Sequence, residues 1–284
     1  MTQTAITVAT SNIESLLVRN NHRGMERVRR HLQAGYLARA AELIRHSAGN
    51  AYIVTGFPVA GTFETDGPAG AMALYRLCER NNLAPTILAE PALTRALCDR
   101  FRCVDLATGS PDQIIDEVTA LYRSAPPGLF ISIERPGAAA DGRYYNMAGQ
   151  DISDHCAWAE PYLELASCPT IAIGDGGNEL GMGSAIEAIS TLAVKPAAST
   201  CDELVVADVS NWAAYALCVL TDVMSGDITD IGADIRGDLS YLVQQGAVDG
   251  VTGLPTATED GFAENAGNAL LEEIIPMALR ANKS

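Results

Sequence analysis

The stretch Pro169-Thr170-Ile171-Ala172-Ile173-Gly174-Asp175-Gly176-Gly177-Asn178-Glu179-Leu180-Gly181-Met182-Gly183 decides the fold class, because an apolar run passes directly into a loop of five glycines, two acids and an amide. Residues 169–173 read as a buried strand and residues 184–191 as a helix. Ligands of open α/β sheets bind at that kind of junction. Glycine lets backbone N–H groups approach an anion closely, and Asp175, Asn178 and Glu179 offer hard oxygen atoms suited to Mg²⁺ or Mn²⁺. A glycine-rich turn that only caps a helix is the competing reading.

Working outward, short apolar runs alternate with amphipathic segments. Strands are predicted at 51–55, 85–89, 103–106, 129–133, 169–173 and 203–207, and helices at 68–82, 91–101, 111–123 and 154–166, several with Pro in the first turn. A helical lead-in (13–18, 25–33, 36–46) precedes them, and helices at 212–224, 234–245 and 263–280 follow. The fold class implied is α/β, a mostly parallel β-sheet flanked by helices, since parallel strands require long crossovers. One domain over 1–284 is expected, with residues 1–48 packed on it. The loops at 56–67 and 135–152 exceed ordinary βα lengths and are candidates for function. Residues 54–58 with 64–67 faintly echo 251–255 with 258–261, which shared turn chemistry can explain.

Composition narrows the function classes. The 284 residues are 48% hydrophobic and 19% charged with a net charge of −16. Seven Arg against three Glu in residues 1–50 leave the rest at about −20, so no nucleic-acid partner is expected. The early arginines read as a solvated helix face paired with the acidic body. No apolar run is long enough to span a membrane and residues 1–18 lack Lys and Arg, so no membrane association and a cytoplasmic location are expected. The seven cysteines form no Cys-x-x-Cys pair and read as reduced.

Acids recur just after the predicted strands: Glu64 and Asp66, Glu90, Glu134, Asp175 with Glu179, and Asp208. Carboxylates converging in a partly dehydrated cleft require a counter-charge, and a divalent metal supplies one. Helix caps and surface charges are the alternative. Gly176 to Gly181 has phosphate-loop spacing, but Met182 stands where the phosphate-binding Lys belongs. Glu179 occupies the last glycine position of a dinucleotide fingerprint. Of the two lysines, Lys195 precedes Pro196 and Lys283 is near the end, which disfavours pyridoxal phosphate. Arg135 and Arg143 could clamp a substrate carboxylate, or pair locally with Glu134, Asp141 or Asp151. His155, a lone histidine at a helix start, reads as structural.

Thr55-Gly56-Phe57 with Glu64-Thr65-Asp66-Gly67-Pro68, Glu134-Arg135-Pro136-Gly137 with Tyr144-Tyr145-Asn146, the glycine loop and Ser210-Asn211-Trp212 together resemble the D-glutamate cyclase C-terminal domain family over nearly the whole chain. That resemblance implies a lyase that dehydrates D-glutamate, or a close acidic analogue, to 5-oxo-D-proline. Its implied metal ligands are Asp66, Asp175, Asn178 and Glu179, with Glu64 or Glu134 transferring protons. Thr55, Gly56, Arg135, Arg143, Gly176, Gly177 and Asn211 are the expected substrate contacts. Mn²⁺ or Mg²⁺, with Ca²⁺ as a further option, is the expected cofactor; NAD, pyridoxal phosphate and ATP are not expected. A small anionic substrate is the expected partner, and self-association stays open. A metal-dependent phosphohydrolase and a binding protein without turnover are the alternatives.

Overall fold

The computed structural model describes residues 3–226 and 231–282, so Lys283 lies outside the described residues. The chain opens with α1 (Gln3–Leu17), α2 (Met25–His31) and α3 (Tyr36–His46), then β1 (Gly49–Thr55). A small hairpin, β2 (Pro58–Val59) and β3 (Thr62–Phe63), leads into α4 (Pro68–Arg80) and β4 (Leu83–Ala89). There follow α5 (Pro91–Leu97), β5 (Cys103–Asp105), α6 (Pro111–Ser124), β6 (Pro127–Ile133), α7 (Glu160–Glu164) and β7 (Thr170–Gly174). The rest comprises α8 (Ile186–Ile189), β8 (Glu203–Val206), α9 (Ser210–Ser225), α10 (Ile231–Gln244) and α11 (Ala266–Asn282).

Six strands form one sheet in the order β5-β4-β1-β6-β7-β8, every pair parallel. The α/β expectation therefore holds, and each of the six strands lies where the apolar runs placed it. Alternation along the strands divides the core. Ala51, Ile53, Leu129, Ile131 and Ile133 face a large cluster with α4 and α9, while Tyr52, Val54, Leu88 and Phe130 face a smaller one with α6 and α7. Both faces are covered, which explains why these strands are apolar throughout.

Local chemistry sets the helix starts. Pro at the first turn opens α4, α5 and α6, where its missing N–H costs nothing. Ser110 and Gln113 form a reciprocal capping box on α6. Helix α9 is buried on all sides from Ser210 to Met224, which its apolar composition allows. Three expected helices are shorter than the pattern suggested, the first being 91–101, which ends at Leu97. Residues 154–166 give a 3₁₀ turn and only the five-residue α7, and 184–191 give a 3₁₀ turn and the four-residue α8. Among the described residues, no helix is long and apolar enough to cross a membrane.

The sheet order matters for position. From β1 the chain first builds outward through β4 and β5, then returns to build through β6, β7 and β8. The carboxyl ends of β1 and β6 therefore diverge at a topological switch point, where crossovers leave a crevice. Gly56 follows β1 there and Glu134 follows β6.

Candidate active site

A cavity of about 580 Å³ opens at this crevice, a size ordinary for small-molecule sites. Glu64, Glu134, Asp175, Asn178 and Gly56 line it, and so do Arg23 and His155. Glu134 carries the strain of the switch point: its φ is +42°, unusual for a residue with a side chain. Gly67, at φ +88°, packs so closely that a Cβ there would sit 2.6 Å from Glu134 Cβ and 2.9 Å from Thr55 Oγ1. No larger residue fits between them.

Arg23 was expected on a solvated helix face and is instead in the turn between α1 and α2, reaching into the acids. Its Nη1 lies 2.5 Å from both Asp175 Oδ1 and Asp260 Oδ2. Other early arginines do pair with the acidic body, as Arg39 does with Glu203 and Arg19 with Glu273. Asp260 belongs to the second segment of the faint echo, and the two echoed segments meet: Thr65 Oγ1 donates to Thr258 O, and Asn211 Nδ2 donates to both Thr65 O and Glu259.

The glycine loop does not hold its amides free for a ligand. Asp175 N and Gly176 N donate to Glu179 Oε1 at 2.9 and 2.6 Å, and Gly177 N donates to Glu179 Oε2 at 2.6 Å. Glu179 is thus the anion in its own loop, fixing the turn that presents Asp175. The amides of Gly176 and Gly177, expected substrate contacts, both have Glu179 as their partner. Crowding explains the glycines: a Cβ at Gly176 would meet Asn178 Oδ1 and Met147 Sδ, and one at Gly177 would meet Ile189. Asn178 donates through Nδ2 to Tyr145 O.

Asp66 and Asn211 form a mutual clasp. Asp66, just before α4, accepts from the N–H groups of Ser210 and Asn211 at the start of α9. Asn211 Oδ1 returns the favour, accepting from Gly67 N and Gly70 N at the start of α4. Each helix N-terminus, with its unsatisfied donors and positive end, is capped by the other segment. Neither Asn211 nor Thr55 lines the cavity, and Thr55 Oγ1 is buried without a hydrogen-bond partner.

The two expected arginine clamps are placed elsewhere. Arg135 is fully buried, pairs with Glu90 and donates to Gly56 O and Ala157 O, so it braces the loops. Arg143 is exposed and pairs with Asp151 at 3.0 Å. Each has a local ion pair as its partner.

Burial dominates the electrostatics. It pushes Glu64, Asp66, Glu134 and Asp175 well above their ordinary carboxylate values, and neighbouring negative charges add to the effect on each. Arg23 pulls down on Asp175 and Glu64. Glu259, buried but holding donors from Trp212, Asn211 and Tyr215, is raised to about 7.

The residues fit a hard divalent cation. Asp66, Asp175 and Asp260 can bring carboxylate oxygens within 4.8 Å of one another, as can Glu134, Asp175 and Glu179. Asp175, common to both groups, has a buried Oδ2 with no hydrogen-bond partner among the described residues. An all-oxygen anionic donor set with an unmatched buried oxygen suits Mg²⁺, Mn²⁺ or Ca²⁺.

Comparisons with known proteins agree with the motif reading. Residues 13–275 match the family described as D-glutamate cyclase-like, C-terminal. The mitochondrial D-glutamate cyclase of Homo sapiens is 31% identical over 223 residues, 66% of this chain and 36% of that protein. The chain thus spans little more than a third of that curated relative. A crystal structure of an exopolyphosphatase-related protein from Bacteroides fragilis aligns with 12% identity and a TM-score of 0.42, over 87% of this chain and 56% of its own.

Proposed function

Since the chain belongs to the D-glutamate cyclase-like C-terminal family, we propose that its cavity closes an acidic amino acid, D-glutamate or a near analogue, into 5-oxo-D-proline with loss of water. The observation that carries this reading is the meeting of Glu64, Glu134, Asp175 and Arg23 on one cavity wall at the switch point.

Ring closure joins the substrate's amino nitrogen to its own side-chain carboxyl carbon, and a C–O bond of that carboxyl breaks. Holding the substrate folded removes the entropy cost of a bimolecular encounter, for which effective molarities of ~10⁵ M or more are available. The nitrogen must first lose an ammonium proton and the departing oxygen must gain protons. Glu64 and Glu134 suit those roles because both line the cavity and burial raises both carboxyls well above their ordinary values, favouring the form that holds a proton. A protonated Glu64 donates to the departing oxygen. An ammonium beside Glu134 favours the ionised carboxylate, which accepts that proton and passes it to the same departing oxygen, while the ring nitrogen's second proton returns to Glu64, so that the oxygen leaves as water. Arg23 offers the substrate's other carboxylate a guanidinium already directed into the cavity. A divalent cation bound by Asp175 with Asp66 and Asp260, or with Glu134 and Glu179, would polarise the carboxyl and offset the surrounding negative charge.

The test is to incubate the protein with D-glutamate, L-glutamate and a panel of phosphate esters, with and without Mn²⁺, Mg²⁺ or Ca²⁺, and to follow 5-oxoproline and free phosphate. Formation of 5-oxoproline from D-glutamate above the protein-free control is expected. Release of phosphate without 5-oxoproline would replace this reading with a phosphohydrolase, and no turnover of either would leave a binding protein.

A further inference from the structure

The cavity is larger and more apolar than free glutamate requires. Opposite the acids in composition, Phe57, Val59, Phe63, Leu93, Ile152 and Val251 also line it, contributed by the β2–β3 hairpin, α5 and two loops. A volume of about 580 Å³ lies in the range that encloses drug-sized ligands rather than a single small amino acid. The charge balance points the same way. Arg23 is the only arginine or lysine lining the cavity among the described residues, and it already holds Asp175 and Asp260. Free glutamate brings a net negative charge into this acidic wall; a glutamate whose side-chain carboxyl is blocked brings none.

Resting on the ring-closing reading above, we infer that the preferred substrate is an α-amino acid of the glutamate type whose side-chain carboxyl is joined as an amide to an apolar amine, with the amine portion seated on the Phe57–Val59–Leu93–Val251 wall. The reaction then releases an amine in place of water. The amino nitrogen loses a proton to Glu134 and attacks the side-chain carbonyl carbon, forming the ring C–N bond. The bond to the apolar amine breaks as the leaving nitrogen takes a proton from Glu64; the ring nitrogen returns its second proton to Glu64, and Glu134 passes its own to the released amine, which leaves as the ammonium. The products are 5-oxoproline and the free amine, with every atom accounted for. An amide carbonyl is also a better electrophile than a carboxylate, so this substrate removes the main chemical obstacle of the parent reaction.

The experiment compares D-glutamate with its side-chain methylamide, propylamide, butylamide and benzylamide, measuring 5-oxoproline and amine release together and binding by calorimetry. kcat/KM is expected to rise along the alkyl series by up to about fourfold per added methylene. Val251→Ser, at an exposed position, and Val59→Ser, at a half-buried one, should each lower the butylamide-to-methylamide ratio by about threefold while retaining the fold. Turnover of D-glutamate with a flat or falling amide series overturns this inference and leaves the parent reading intact. A rising amide series with inert D-glutamate supports it and removes free D-glutamate as substrate. No 5-oxoproline from any compound overturns both, and a steep series unaffected by either variant overturns the assignment of the wall.

Discussion

Strands β7 and β8 lie side by side and each is followed within two residues by an aspartate, yet the two carboxylates have different fates. Asp208, after β8, accepts from Asn20 N at 2.7 Å and Asn21 N at 2.8 Å, and so ties the end of α1 to the sheet. Asp175, after β7, is held by Arg23 on one oxygen and has no hydrogen-bond partner on the other. An acid at a strand end is therefore not a site by position alone. What distinguishes the two is whether backbone donors have already used the lone pairs.

Exchanging each acid for its amide is the most direct way to break that contrast. Asp175→Asn should cut 5-oxoproline formation by roughly 10³-fold with little change in the urea midpoint, whereas Asp208→Asn should cost about 1–2 kcal/mol of stability with turnover within a few-fold. A larger catalytic loss from Asp208→Asn would reverse the comparison. Next in size, Glu179→Ala would leave three buried N–H groups without an acceptor and is expected to destabilise by about 3 kcal/mol or more in equilibrium denaturation.

The pH dependence sharpens the contrast further. Glu64, Asp66, Glu134 and Asp175 have folded values above their unfolded ones, so their stabilisation is complete below about pH 4 and is lost as pH rises through the raised values. Glu259 places part of that loss between its ordinary 4.5 and about 7. Asp249 acts in the opposite sense. Despite burial, donors from Thr252, Gly261 and Thr258 hold it below 3.8, so its contribution is present above that value and lost in acid. Thermal midpoints should fall between about pH 5 and pH 7, and added Mn²⁺ should restore more at the upper end, because protons and the cation compete for the same oxygens. The smallest effect belongs to Arg143→Ala: an exposed ion pair contributes under about 0.5 kcal/mol, so both the denaturation midpoint and turnover should stay at parental values.

Much of the fold was legible because each core strand is an apolar run buried on both faces and most crossovers open on a proline. The hairpin β2–β3, with two residues per strand, carried too little pattern to read. At the site, Glu64, Glu134, Asp175 and Asn178 were legible from their place after strands, and they line the cavity. Arg23 and Asp260 were not, since one sits in a turn near the start and the other 237 residues away, and only the folded chain brings them together. The echo of 64–67 in 258–261 was the available signal for Asp260. For Glu179, sequence shows that a glycine loop can bind an anion, but not that the loop carries its own.

The clasp between Asp66 and Asn211 gives the cavity a property beyond geometry. The same four hydrogen bonds that hold the starts of α4 and α9 also position the acidic wall, and α9 is the most enclosed helix of the core. Local opening at the wall thus exposes two helix termini at once and unravels toward the interior. The binding surface and α9 are therefore expected to open as a single cooperative unit, so that a ligand held at the wall should slow hydrogen exchange along α9.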